Sequence, residues 1–168
     1  MVICKSCCPK KYVFSDCHQK VLSKLRENIH LNGFVLTDED DYTEKPERVK
    51  DSDTVQMSVL ELDWESVTEG QLSHIDTDVI IAADVVYDPD VITSFSNTLC
   101  KLLLYKKAEK WLDIFVASTV RNSETYKLFQ TKLDEAGLKW QTVADHKKNI
   151  FVYEANCTVQ ILQVSLKM

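Results

Sequence analysis

Residues 11–16, Lys-Tyr-Val-Phe-Ser-Asp, read as a short buried strand that ends in an acid. Val21, Leu22, Leu25 and Ile29 follow at the spacing of one helical face. Asn32-Gly33 closes that helix, because Gly accepts the left-handed backbone that ends a helix without steric cost. Residues 55–62 alternate as a strand does and end at Asp63-Trp64. Residues 78–84, Asp-Val-Ile-Ile-Ala-Ala-Asp, form a nearly continuous apolar run, which suits a strand covered on both faces. Asp88-Pro89 supplies an N-cap and a first-turn proline to a helix burying Val91, Ile92, Phe95, Leu99, Leu102 and Leu103. Trp111 to Ser118 is the next strand. Asn122 opens a further helix with Tyr126, Phe129, Leu133 and Ala136 on one face and Gly137 at its end. Stretches 139–144 and 158–165 complete the chain as strands, around a polar segment holding His146 and Lys147.

Strands alternating with helices predict an α/β fold, a parallel sheet with helices on both faces. The last two strands have no helix between them and are expected as an antiparallel pair at one edge. Residues 37–54 hold eight acids, three bases and a proline, which reads as a charged, solvated loop within the domain.

The chain has 168 residues, the length of a single domain spanning 1–168. Its net charge of -6 disfavours a nucleic acid partner, which is normally gripped through basic groups. The apolar runs at 79–83 and 99–104 are far short of the roughly 20 residues that span a bilayer. No membrane association is therefore expected, and the first eight residues lack the pattern of a secretory signal. Six cysteines in such a chain argue for reduced thiols. Only three glycines occur, Gly33, Gly70 and Gly137, so no G-x-G phosphate-cradling loop is present.

In open α/β sheets ligands bind beyond the carboxyl ends of strands. The polar residues at those addresses are Asp16, Asp63-Trp64, Asp84 and Arg121. A carboxylate such as Asp16 offers two oxygens to the two hydroxyls of a ribose. Trp64 is either a flat surface for a purine or a boundary tryptophan half-buried in packing. Asp84 finishes what reads as the most buried strand, where an acid is costly without a partner, and Tyr87 follows three residues later. Cys4-x-x-Cys7-Cys8 and Cys17-His18 have the ligand types of a zinc site. A zinc ribbon would need a second C-x-x-C pair, however, and no metal is expected. His30, His74 and His146 read as surface or satisfied histidines.

Phe14-Ser15-Asp16-Cys17, Leu62-Asp63-Trp64 and Ala82-Ala83-Asp84-Val85-Val86-Tyr87 together carry a resemblance that covers nearly the whole chain. Leu25-Arg26-Glu27-Asn28, Leu31-Asn32-Gly33 and Thr119-Val120-Arg121-Asn122 with Glu124-Thr125 extend it. The sequence resembles the seven-β-strand protein-lysine methyltransferases, marked by D-x-x-Y after the fourth strand, and within them the branch acting on elongation factor 2. The resemblance implies a Rossmann-like, mostly parallel sheet with an antiparallel C-terminal edge pair, and S-adenosyl-L-methionine as cofactor. By that analogy Asp16 is the ribose-binding acid, Trp64 beside Asp63 the adenine-side contact, and Ala83 a backbone contact to the cofactor. Asp84 and Tyr87 fall on the motif that receives the substrate lysine. The implied partner is elongation factor 2 in the cytoplasm, met by a monomer.

The family's catalytic domain begins with a strand and a Gly-rich E-x-G-x-G turn, and this sequence starts after them, within the next helix. An N-terminally truncated domain, lacking the first strand and that turn, is the expectation. S-adenosylmethionine is then expected to bind this polypeptide far more weakly than a version extended upstream. Equal, tight dissociation constants for the two by calorimetry would overturn that. Two other readings stay open. One is a methyltransferase for a small molecule or a nucleic acid base, although such enzymes show Asn-Pro-Pro-Tyr where this chain has Ala-Asp-Val-Val-Tyr. The other is an inactive module that docks on the elongation factor.

Overall fold

A computed structural model describes residues 2–37, 55–106, 111–143 and 159–167. Most of the charged loop, from residue 38 on, lies outside the described residues, as do His146 and Lys147. The elements run in the order α1 (Val2–Cys7), β1 (Lys11–Asp16), α2 (Gln19–Leu31), β2 (Gln56–Glu61), α3 (Glu69–His74), β3 (Val79–Ala83), α4 (Pro89–Lys106), β4 (Asp113–Thr119), α5 (Ser123–Glu135), β5 (Leu138–Thr142) and β6 (Val159–Leu166). They fall into two compact units, Met1–Asp63 and Trp64–Met168.

In the first unit β1 and β2 pair in parallel, Lys11 opposite Gln56 through Asp16 opposite Glu61. Parallel neighbours need a crossover, and α2 supplies it. Buried Ile29 of α2 meets buried Met57 of β2 and Cys4 of α1, with Tyr12, Phe14 and Phe34 around them. The helix ends where the sequence indicates: Gly33 has φ +79° and donates its N–H to the His30 carbonyl at 2.9 Å. Thr37 donates to the Met57 carbonyl at 2.7 Å, tying the start of the charged stretch to β2.

The second unit has a four-stranded sheet in the order β3-β4-β6-β5. β3 and β4 are parallel, and β6 runs antiparallel to both β4 and β5. The antiparallel edge pair is therefore as expected, but the sheet is mixed, because β6 returns between β4 and β5. Its core joins Phe95 and Leu99 of α4, Phe129 and Leu133 of α5, and Ile114, Val116, Leu162 and Val164 of the sheet. Asn122 caps α5, its side chain accepting from the N–H groups of Glu124 at 2.8 Å and Thr125 at 3.4 Å. The predicted α4 is present and buries every expected position except Val91, which is half-buried.

Three expectations need correction. β3 is not covered on both faces: Ile80 and Ala82 pack on the core while Val79 and Ile81 stay half-exposed, and among the described residues it pairs only with β4. The most buried strand is β4, flanked on both sides, with Ile114, Val116 and Ser118 inward. Trp111 lies outside β4 and is 95% exposed, so its apolar character reflects no packing role within the unit. The short α3 carried its own signal, since Thr68 and Gln71 form a reciprocal capping box.

Candidate active site

The second unit concentrates its chemistry where β3 and β4 end. Asp84, one residue past β3, takes a left-handed backbone with φ +57°. Asp tolerates that region better than most residues because its short side chain bonds locally. The strand ladder reaches over it, since the Asp84 N–H donates to the Ala117 carbonyl at 2.8 Å. The turned backbone aims the carboxylate at the end of β4. There Oδ1 accepts from the Thr119 N–H at 3.0 Å and Oδ2 accepts from Arg121 Nη2 at 2.8 Å. The carboxyl pKa is lowered by the Thr119 hydrogen bonds, the backbone one foremost, and then by the charge and hydrogen bond of Arg121; desolvation opposes them. Asp84 is thus an anion held at both oxygens, with its side chain still 45% exposed.

Tyr87 stands beside it, 70% exposed. A cavity of about 130 Å³ opens among Tyr87, Thr119, Arg121, Asn122, Thr125 and Tyr126. Pockets for drug-sized ligands run to roughly 300–1,000 Å³, so this space is on the scale of a side chain. The Tyr126 hydroxyl is buried with no hydrogen-bond partner among the described residues, and burial pushes its pKa up. The helical period of α5 puts Tyr126 on its core face. Its ring does pack there, and only its position one turn after the Asn122 cap signals that it also reaches the cavity.

Trp64 is partly buried in the same unit, its ring 4.6 Å from that of Phe95 and tilted by 45°. Thr98 Oγ1 donates to the Trp64 carbonyl at 3.3 Å. Of the two readings left open for Trp64, packing at the boundary of the core is therefore realised in this unit. Ala83, the last residue of β3, pairs with Ala117 and is exposed.

Asp16 ends β1 in the first unit, opposite Glu61. One carboxylate oxygen accepts from the His18 N–H at 2.8 Å, which holds the side chain over the β1–α2 turn. Gln19 Nε2 donates to Glu61 Oε2 at 2.6 Å, while Asp63 closes the unit half-buried. Cys17 is pushed up in pKa, by burial first and then by the charge of Asp16, with smaller contributions from Asp63 and Glu61.

Metal-ligand types do gather here, though not as the cysteine pattern suggested. Cys4 is buried in the core, and Cys7 and Cys8 are exposed. The donors that do come together are those of Asp16, Cys17 and His18, within 4.8 Å of one another. Three donors, two of them on exposed residues, fall short of the four that close a structural zinc site.

A family described as lysine methyltransferase matches residues 11–136. The chain belongs to the lysine methyltransferase family. It is 40% identical over 168 residues to the protein-lysine N-methyltransferase EEF2KMT of Bos taurus, covering 99% of this chain and 49% of that protein. To its Homo sapiens counterpart it is 40% identical over 166 residues, covering 99% and 48%. The Mus musculus protein gives 40% over 166 residues, covering 99% and 47%. The chain spans about half the length of the curated relatives it matches. No helix among the described residues is long and apolar enough to cross a membrane.

Proposed function

We propose that residues 1–168 are part of one seven-strand-type catalytic domain that moves a methyl group from S-adenosyl-L-methionine to a lysine of a protein substrate, elongation factor 2, in the cytoplasm. The observation that carries this reading is Asp84 of the Asp-Val-Val-Tyr motif, turned outward at φ +57° and anchored by Thr119 and Arg121 in a lysine methyltransferase family member.

The cofactor supplies an electrophilic methyl group on a sulfonium when bound. In the first unit Asp16 keeps lone pairs beyond the one taken by the His18 N–H, enough for ribose hydroxyls. Asp63, Trp64 and Ala83 are the other cofactor-contacting residues in this reading. The protein's own contribution is to the lysine. A free lysine has a pKa of about 10.4, and only its neutral form is nucleophilic. Asp84 orients the amine and offsets the positive charge that nitrogen carries as the methyl group arrives. Tyr87, with its ring open to solvent, forms an aromatic wall that attracts the ammonium and directs the amine as its proton leaves.

The test is transfer of tritium from methyl-labelled S-adenosylmethionine to purified elongation factor 2, compared with RNA as acceptor. Label on a lysine of the factor is expected, together with an approximately 10-fold or greater loss of cofactor affinity in Asp16→Ala, each lost charged hydrogen bond being worth about 1.5–3 kcal/mol. Label on RNA would sink the protein-substrate reading. Co-precipitation of the factor without any labelling would leave a docking module in its place.

A further inference from the structure

The Asp84 carboxylate presents a difficulty for lysine chemistry. A bare anion next to an ammonium stabilises the protonated form and so withholds the nucleophile. The structure sets a cation against that anion. Arg121 Nη2 donates to Asp84 Oδ2 at 2.8 Å, and Arg121 is itself fixed at its backbone: Thr119, two residues before it, ends β4, and Asn122, one residue after it, caps α5. The short link between two rigid elements fixes the point from which the Arg121 side chain starts. Oδ1 is meanwhile held by the Thr119 N–H at 3.0 Å, so the carboxylate plane is defined at both oxygens. Arg121 also lines the small cavity with Tyr87 and Tyr126, and these two tyrosines are the other titratable side chains around it.

We propose that Arg121 is a positioning residue: it fixes the Asp84 carboxylate and partly neutralises it, so that a lysine amine docked beside Asp84 gives up its proton more readily. The inference rests on Asp84 receiving the lysine. Arginine suits the task because it stays charged at every relevant pH, and one of its five donors suffices to hold Oδ2. Its side chain is 67% exposed, so replacement leaves the core of the unit intact.

The experiment compares the unsubstituted chain with Arg121→Gln and Arg121→Lys by two measurements. Carboxyl carbon NMR follows the titration of Asp84 without substrate. In Arg121→Gln its midpoint moves up, because a cation and a hydrogen bond to the ionised form are lost; in Arg121→Lys the charge remains and the midpoint moves less. An unchanged midpoint in Arg121→Gln overturns the proposal. The second measurement is methyl transfer to elongation factor 2 across pH. Loss of the cation raises the pKa of the docked amine, so the acid limb of kcat shifts to higher pH in Arg121→Gln. At neutral pH kcat drops on the order of 10- to 100-fold, the range expected for a misplaced group, with KM little altered. Arg121→Lys keeps the acid limb near its original place while losing kcat through poorer aim. Identical acid limbs in the unsubstituted chain and Arg121→Gln also overturn the proposal. If the unsubstituted chain transfers no methyl group even at saturating S-adenosylmethionine, the function proposed above falls, and the NMR titration alone still decides whether Arg121 holds Asp84.

Discussion

Asp84→Asn is expected to cut methyl transfer on the order of 100-fold or more while leaving affinity for S-adenosylmethionine nearly unchanged. Asparagine preserves the shape of the side chain and, like Asp, tolerates the left-handed backbone, so the fold of the β3–α4 connection is kept. The negative charge is what goes, and with it the ion pair to Arg121 and the partner for a docked amine. The amide nitrogen would also confront one of two donors, the Thr119 N–H or the guanidinium, both of which now point at acceptors. Steady-state kinetics on elongation factor 2 and calorimetry with the cofactor separate the two quantities. Near-normal turnover would remove Asp84 from the catalytic face, and a parallel collapse of cofactor binding would move it to the cofactor side.

Phe129→Ala is expected to cost the second unit about 3–5 kcal/mol. Phe129 is fully buried on α5, stacked on Phe95 with centroids 5.9 Å apart, and its neighbours come from α4, α5 and the sheet. Rigid elements close only part of the hole left by a lost ring, so the cavity adds to the lost transfer free energy. Domains hold about 5–15 kcal/mol in total, so the variant sits near the unfolding threshold. Trp111→Ala is the control: an equally large aromatic change at an exposed position stays within about 0.5 kcal/mol. Urea midpoints of the two variants against the unsubstituted chain check this. A Phe129→Ala midpoint close to that of Trp111→Ala would mean the α5 packing is wrong.

Much of the fold could be read before any coordinates. The period of Val21, Leu22, Leu25 and Ile29 marked α2, and the Asp88-Pro89 and Asn122 signals marked the starts of α4 and α5 to within a residue. Local chemistry determines such features, and local chemistry is what a sequence displays. Coverage is different. The run at 79–83 is as apolar as a doubly buried strand, yet Val79 and Ile81 stay half-exposed, because burial depends on what packs above and below the sheet. The site divided in the same way. Asp84 and Tyr87 stood out by motif and Asp16 by its position at a strand tip. The partnership of Asp84 with Arg121 joins residues 37 positions apart through the register of β3 on β4, and pattern along the chain cannot show register. Tyr126 was hidden by its dual nature, a ring that belongs to the core and a hydroxyl that reaches the cavity.

Among the described residues β3 bonds only to β4; on its other rim the Val79 N–H and carbonyl are taken up by the Thr77 hydroxyl, and Val79 and Ile81 stand half-exposed beside it. Such rims invite other strands to zip on, and natural proteins blunt them with charge. Here the charge stands at both ends. Two copies zipped head to tail about Ile81 would bring Asp78 of each against Asp84 of the other, like charges face to face. The carboxylate proposed to face the lysine would thus also weigh against two such rims closing on each other as a pair.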